Sequence, residues 1–192
     1  MIDIIFILGA VIAFTATNID DLFMLVFFFG NKNFKNSHVV VGQYLGILSL
    51  ILISSLGYFF KFIIPSSLIG LLGFFPILIG IKELVKLLKH QRMVEDELNQ
   101  NIKFNRFSIF QVALITISNG GDNIGVYMPL FASISSTEII VVVFIFIVMI
   151  GLWCIIGLSL VNNRILSDKI KNYGHIIFPF VLIAIGIYIL TK

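Results

Sequence analysis

Charge is the scarcest ingredient of this chain. Only 12% of its 192 residues are Asp, Glu, Lys or Arg, about half the share of an ordinary soluble domain. With 59% of the residues hydrophobic, a water-soluble core of this size could not hide the apolar surface. One cysteine, Cys154, excludes an internal disulfide and a multi-thiolate metal site within one chain. No Walker-type phosphate loop is present, so an ATP-driven pump would need another subunit. The opening Met1-Ile2-Asp3 lacks the basic segment of a cleavable signal peptide, and the apolar run behind it is too long for one. That run reads as a first membrane helix. The apolar runs are continuous and do not alternate, which points to helices and away from a barrel.

Six such runs can be drawn, over about 4–30, 38–62, 68–88, 108–134, 138–161 and 175–190. A turn-like segment at 31–37 separates the first two, and Pro65-Ser66-Ser67 marks a turn and helix start before the third. The stretch 89–107 is polar, with charges of both signs. The expected fold is an all-α membrane protein, six transmembrane helices forming a single domain over 1–192. Repeat 1 covers about 1–88, a cytoplasmic linker about 89–107, and repeat 2 about 108–192.

The repeats are read from one signature that occurs twice. Thr17-Asn18-Ile19-Asp20-Asp21 and Ser118-Asn119-Gly120-Gly121-Asp122 lie 101 residues apart, each inside the first apolar run of its half. Both follow the pattern hydroxyl, Asn, two residues, Asp. Three spans per half is an odd number, so the second half enters the membrane upside down and the repeats are inverted. A weaker echo joins Phe75-Pro76 and Gly80-Ile81 to Phe178-Pro179 and Gly186-Ile187. With the N-terminus outside, the inner loops and helix ends hold eleven Lys and Arg residues, from Lys32 to Lys171, and the outer side holds only Lys61 and Lys192. That bias puts both termini outside and the linker inside.

Asp20, Asp21 and Asp122 fall near the middle of their spans, where a carboxylate costs about 2.5–3.5 kcal/mol on insertion scales. No Lys or Arg lies at comparable depth, which favours a cation or proton site over an anion site. Asn18 with Asp21, and Asn119 with Asp122 and Asn123, have the spacing of shared helix faces. Carboxylates with amide oxygens suit a divalent metal. The two glycines at 120 and 121 weaken the helix beside Asp122, and backbone freed at that depth is tolerated only where protein or a polar cavity receives it. Asp20 points about 100° away from Asp21 around an intact helix, so both reach one site only if the helix unwinds. Gln43, Gln111, Thr116, Thr17 and Ser118 read as hydrogen-bonding contacts between helices. Met24, Met128 and Cys154 read as fillers that are also soft donors. His38 and His175 sit at span ends, and Glu83 reads as a surface partner of Lys82 and Lys86.

At these two motifs, Ala16-Thr17-Asn18-Ile19-Asp20-Asp21 and Ser118-Asn119-Gly120-Gly121-Asp122-Asn123, the chain resembles the bacterial cadmium-resistance transporters of the wider lysine-exporter superfamily. The resemblance extends over nearly the whole chain and implies export of a divalent heavy-metal cation, cadmium first, across the cytoplasmic membrane. Exchange of metal for protons at the carboxylates gives antiport a physical basis. The expected metal ligands are Asp21, Asp122, Asn18, Asn119, Asp20 and Asn123, with no resident cofactor, no nucleic-acid partner, and a homodimer left open. The paucity of thiols leaves manganese, zinc, calcium or a cationic organic solute as alternative cargo. A rival from another class is an intramembrane aspartyl protease, in which two aspartates share a proton. Nothing in that chemistry requires the duplicated Asn.

Overall fold

Each apolar run is helical where it is described, and the two that carry the Asn/Asp signature become two helices each. The computed structural model describes residues 3–63, 65–88, 108–161 and 179–191, so the linker 89–107 and the segment 162–178 lie outside the described residues. Helices α1 (Ile4–Thr17) and α2 (Ile19–Gly30) meet at Asn18 with a bend of 56°. Helix α3 (Asn36–Ser55) runs on through a tighter turn at Leu56–Phe59. A short turn at Ser66–Ile69, begun by the Leu68 N–H donating to the Pro65 carbonyl at 2.8 Å, leads towards α4 (Phe74–Leu88). Then come α5 (Ser108–Asn119), α6 (Gly121–Ser133), α7 (Ser136–Leu160) and α8 (Pro179–Leu190). There is no strand among the described residues. Asn36–Phe59 and Ser136–Leu160 are each long and apolar enough to cross a membrane, and α1 with α2 makes a third span if counted as one. Outward-facing Leu52, Phe62, Ile140 and Phe144 leave the apolar exterior that a bilayer requires.

Local chemistry explains the boundaries. Asn31 closes the turn after α2 by accepting the Asn33 N–H on its side chain and the Phe34 N–H on its carbonyl, both at 3.0 Å. Phe34 folds back onto Phe28, with ring centres 5.1 Å apart. Helix α7 starts earlier than its apolar run because Ser135 and Glu138 form a capping box: the Ser135 N–H donates to Glu138 Oε2 at 2.7 Å and the Glu138 N–H returns to Ser135 Oγ at 3.4 Å.

The packing follows a pattern of swapped partners. Helix α3 lies along α5 and α6 in the same direction: Gly42 faces Ile109 and Val112, Gly46 faces Ala113 and Thr116, Leu50 covers Gly120, and Gly57 meets Met128. Helix α7 lies along α1 and α2 in the same direction, through Phe146 on Phe14, Trp153 on Asn18, and Gly157 on Leu25 and Phe29. Helices α4 and α8 run opposite to each other, since Gly73 meets Gly186 and Leu190 while Gly80 meets Pro179 and Ile183. The centre is aromatic. Phe14 packs on Phe146 at 5.3 Å and on the edge of Trp153 at 5.5 Å, and Tyr127 sits on Phe146 at 4.7 Å.

The α4/α8 seam has no room for side chains. A Cβ at Gly186 would stand 2.5 Å from the Gly73 carbonyl oxygen, and one at Gly73 would collide with the Gly186 carbonyl. Backbone cannot give way as a side chain can, so Gly73→Ala should destabilise by about 1–3 kcal/mol, as overpacking does. Gly9→Ala is the comparison, because a Cβ there meets nothing within 4 Å, and it should be neutral or stabilising. Unfolding of the two purified variants in detergent checks the contrast; equal stability would contradict the packing described.

Candidate metal and proton site

The site is assembled where the two broken helices cross. Thr17 and Asn18 meet Tyr127, while Asp21 meets Asn119. Numbers rise on one chain as they fall on the other, so the pair crosses in opposite directions. Asp20 and Asp21 occupy the first turn of α2, and Asp122 the first turn of α6. There the free N–H groups and the helix dipole favour negative charge. The same breaks bring the C-terminal ends of α1 and α5, with their partial negative charge, to the same level. A broken span thus offers an anion-stabilising end and a cation-stabilising end together.

Asp21 is 1% exposed, and its hydrogen-bond donors among the described residues are neutral amides. Asn119 Nδ2 donates to its Oδ1 at 3.3 Å and Gln43 Nε2 to its Oδ2 at 3.4 Å. Gln43 is itself held in orientation, because Thr116 Oγ1 donates to Gln43 Oε1 at 2.9 Å. Asp122 is half-buried, and its Oδ1 accepts the Asn123 N–H at 2.9 Å. Asp20, also half-buried, and Asp21 both lie within electrostatic reach of Asp122. A Cβ at Gly121 would meet nothing within 4 Å, so the start of α6 borders open space beside Asp122.

Among the described residues, two buried amide oxygens have no partner. Asn18 Oδ1 and Asn123 Oδ1 are fully enclosed and accept no hydrogen bond, as is Ser54 Oγ on α3. A buried acceptor without a donor is costly. Two of these three atoms belong to expected ligands, and oxygen acceptors without protons are what a cation takes. Among the described residues no group of three or more His, Cys, Asp and Glu side chains is arranged to hold a metal, so a metal here would draw on amide oxygens as well as carboxylates.

A family model described as cadmium resistance transporter matches residues 14–192. The chain belongs to the cadmium resistance transporter family. No curated protein and no solved structure matches it. The family is one of transporters, which removes the aspartyl protease reading and, with the apolar helices, makes this a membrane transport protein and not an enzyme.

The six expected ligands are brought to one region but not in equivalent settings. Asn18, Asp21 and Asn123 are fully buried, Asp20 and Asp122 half-buried, and Asn119 exposed on one side while it donates to Asp21. The shared-face argument needs correction. One break falls inside each motif: Asn18 is itself the hinge between α1 and α2, while Asn119 ends α5 and Asp122 lies in α6, so neither pair sits on one continuous helix. The break after Thr17 was not expected, since no glycine marks it. Gln43 and Thr116 do bridge helices, as expected, but Gln43 also reaches Asp21. Tyr127 and Trp153 were missed altogether; both bond to Asn18, and an aromatic in an apolar run carries no signal of that.

The Thr116–Gln43–Asp21 chain can be tested for coupling. Gln43→Leu strips a donor from a buried carboxylate and should cost about 1–3 kcal/mol, with Thr116→Val costing less. The double variant should lose less than the sum, because both changes break one chain of bonds. Unfolding of the four proteins in detergent measures this. Additivity within about 0.5 kcal/mol would mean that the three side chains do not act together.

Proposed function

We propose that this protein is a secondary transporter that exports a divalent metal cation, cadmium first, across the cytoplasmic membrane in exchange for protons. The carrying observation is a buried carboxylate, Asp21, held by neutral amides where two broken helices cross, beside amide oxygens that lack donors. Asp21 and Asp122 are the central ligands, Asn18, Asn119 and Asn123 complete the shell, and Asp20 is a ligand or proton carrier. Neutral donors leave the negative charge of Asp21 uncancelled, so a cation that arrives gains its full attraction. The same carboxylates take protons when the metal leaves, which couples the two flows.

The reading includes six spans in two inverted repeats, with both termini outside and the linker inside. Three features support it. Each half opens with a broken helix; each half's second span lies parallel to the broken pair of the other half; and the third spans pack antiparallel. The α4/α8 contacts are moreover reciprocal. Gly80 with Pro179, and Gly186 with Gly73, are the same contact under one offset of 106 residues, as a two-fold axis in the membrane plane requires. The oxygen-rich donor set favours a second candidate for the cargo, a harder divalent ion such as manganese, zinc or calcium.

Uptake into everted vesicles, with cadmium, zinc, manganese and calcium compared, decides the cargo. Asp122→Asn should still insert but lose export, whereas Asn119→Ala should weaken metal binding by about tenfold. Metal binding to the purified protein should release protons and weaken as pH falls, since protons and metal compete for the same carboxylates. An Asp122→Asn variant that exports like the wild type, with no pH dependence in either, would rule out the carboxylate mechanism. Reporter fusions at Lys192 and within 89–107 test the topology, and an inward-facing C-terminus would refute six spans.

A further inference from the structure

Asn18 has both of its amide protons committed and its oxygen left bare. Nδ2 donates to the Phe14 carbonyl at 2.8 Å and to the Tyr127 hydroxyl at 2.7 Å. A carbonyl can only accept, so the nitrogen and not the oxygen must face Phe14, which fixes the orientation of the amide. Thr17 Oγ1 donates to the Ala13 carbonyl at 3.0 Å and lies 2.8 Å from the Tyr127 hydroxyl. Its proton is then spent, so Tyr127 donates to Thr17 and accepts from Asn18. Every proton in this chain runs away from Asn18 Oδ1, which is buried without a partner. The backbone is held as well. Trp153 Nε1 donates to the Asn18 carbonyl at 2.7 Å, and that carbonyl also accepts the Leu22 N–H at 3.2 Å across the bend.

Resting on the metal-transport reading above, we propose that Tyr127 and Trp153 are positioning residues, a clamp from the second half of the chain that presents Asn18 Oδ1 as a rigid ligand to the metal cation. Both rings are fixed in turn, Tyr127 on Phe146 and Trp153 against Phe14, so the clamp is ordered before any ion arrives. A ligand oriented in advance avoids the entropy of ordering on binding, and partners behind a ligand are worth tenfold to a hundredfold in metal affinity. Because the chain has one Trp, the clamp carries its own reporter. An ion on Asn18 Oδ1 polarises the amide two bonds from the backbone that the indole N–H touches, and the emission of Trp153 should respond.

The test uses purified full-length protein in detergent, with cadmium binding measured by equilibrium dialysis and Trp153 emission followed in parallel. In the wild type, emission should change in step with cadmium bound. Tyr127→Phe keeps the ring and removes the hydroxyl; it should weaken cadmium binding by about tenfold to a hundredfold while the helical content stays close to wild type and the metal-free protein, which loses two buried hydrogen bonds, still unfolds cooperatively at a somewhat lower temperature. Tyr58→Phe, at a half-buried tyrosine bonded to Ser136, should bind as wild type. Should Tyr127→Phe fail to fold, the wild-type titration alone still decides: cadmium bound with unchanged emission would overturn the clamp. So would a folded Tyr127→Phe that binds cadmium with wild-type affinity. Absence of any cadmium binding to the wild type, by contrast, would count against the metal reading itself.

Discussion

A carboxylate removed from water must find its donors within the protein, and the arrangement around Asp21 follows from that need. Its two donors come from different helices, Gln43 of α3 and Asn119 at the end of α5. For both to arrive, α3 and α5 must lie almost backbone to backbone. Gly42 and Gly46 permit this: a Cβ at either would stand 2.6 Å from the Cβ of Val112 or Thr116. Gln43 lies between these glycines in sequence and so enters the seam at its narrowest part, where Thr116 orients it. The choice of amides matters as much as their placement. A Lys or Arg would satisfy the carboxylate more strongly and neutralise it. Two amides at 3.3 and 3.4 Å hold it weakly, leaving charge that a passing cation can use.

Much of this was legible in the chain. Repetition of the Asn/Asp pattern identified Asn18, Asp21, Asn119 and Asp122, and the consecutive glycines at 120 and 121 foretold the second break. The helix limits follow from hydrophobic runs, because a helix that faces lipid must be apolar along its length. What could not be read depended on distant partners. The bend at Asn18 has no local breaker; it is stabilised by an indole 135 residues away. Gln43 resembles any polar residue on a small-residue stripe until its Asp21 contact is seen. The face argument failed for a related reason, since helical periodicity restarts at each break and residues three apart no longer share a side. The start of α7 is different. Ser135 and Glu138 have the spacing of a capping box in plain view, and hydrophobicity alone set that boundary too late.

Two of the soft donors that a cadmium carrier would be expected to use, Met128 and Cys154, are packed into other contacts. Met128 lies against Gly57, in the turn beyond the end of α3, and Cys154 is buried within α7. Among the described residues the bonded partners of Asp21 are nitrogen donors of amides. An oxygen site binds cadmium by charge and size and not by softness, so it should discriminate little between divalent ions of similar radius. Under that constraint, selectivity has to come from how rigidly the oxygens are held, since a flexible shell adapts to several radii and a fixed one does not.

Rigidity is unequal between the two halves. Asn18 and Asn119 occupy equivalent places in the motif, yet Asn18 is enclosed and bonded through its amide nitrogen to Phe14 and Tyr127, while Asn119 is exposed on one side and reaches across to Asp21. The sequence makes this difference permanent. At the repeat offset of 101 residues the counterpart of Tyr127 is Val26, and at the 100-residue offset of α3 and α7 the counterpart of Trp153 is Ile53. Neither can hydrogen-bond an amide. Asn119 therefore lacks the counterpart of this clamp at the equivalent positions, and the helix break beside it is built from glycine. If the site opens alternately to the two sides of the membrane, the two openings cannot be mirror images. On the proposed mechanism the Asn18 side would then be the fixed one, and Asn119, held to Asp21 by a single bond at 3.3 Å, would be released as a cation takes its place.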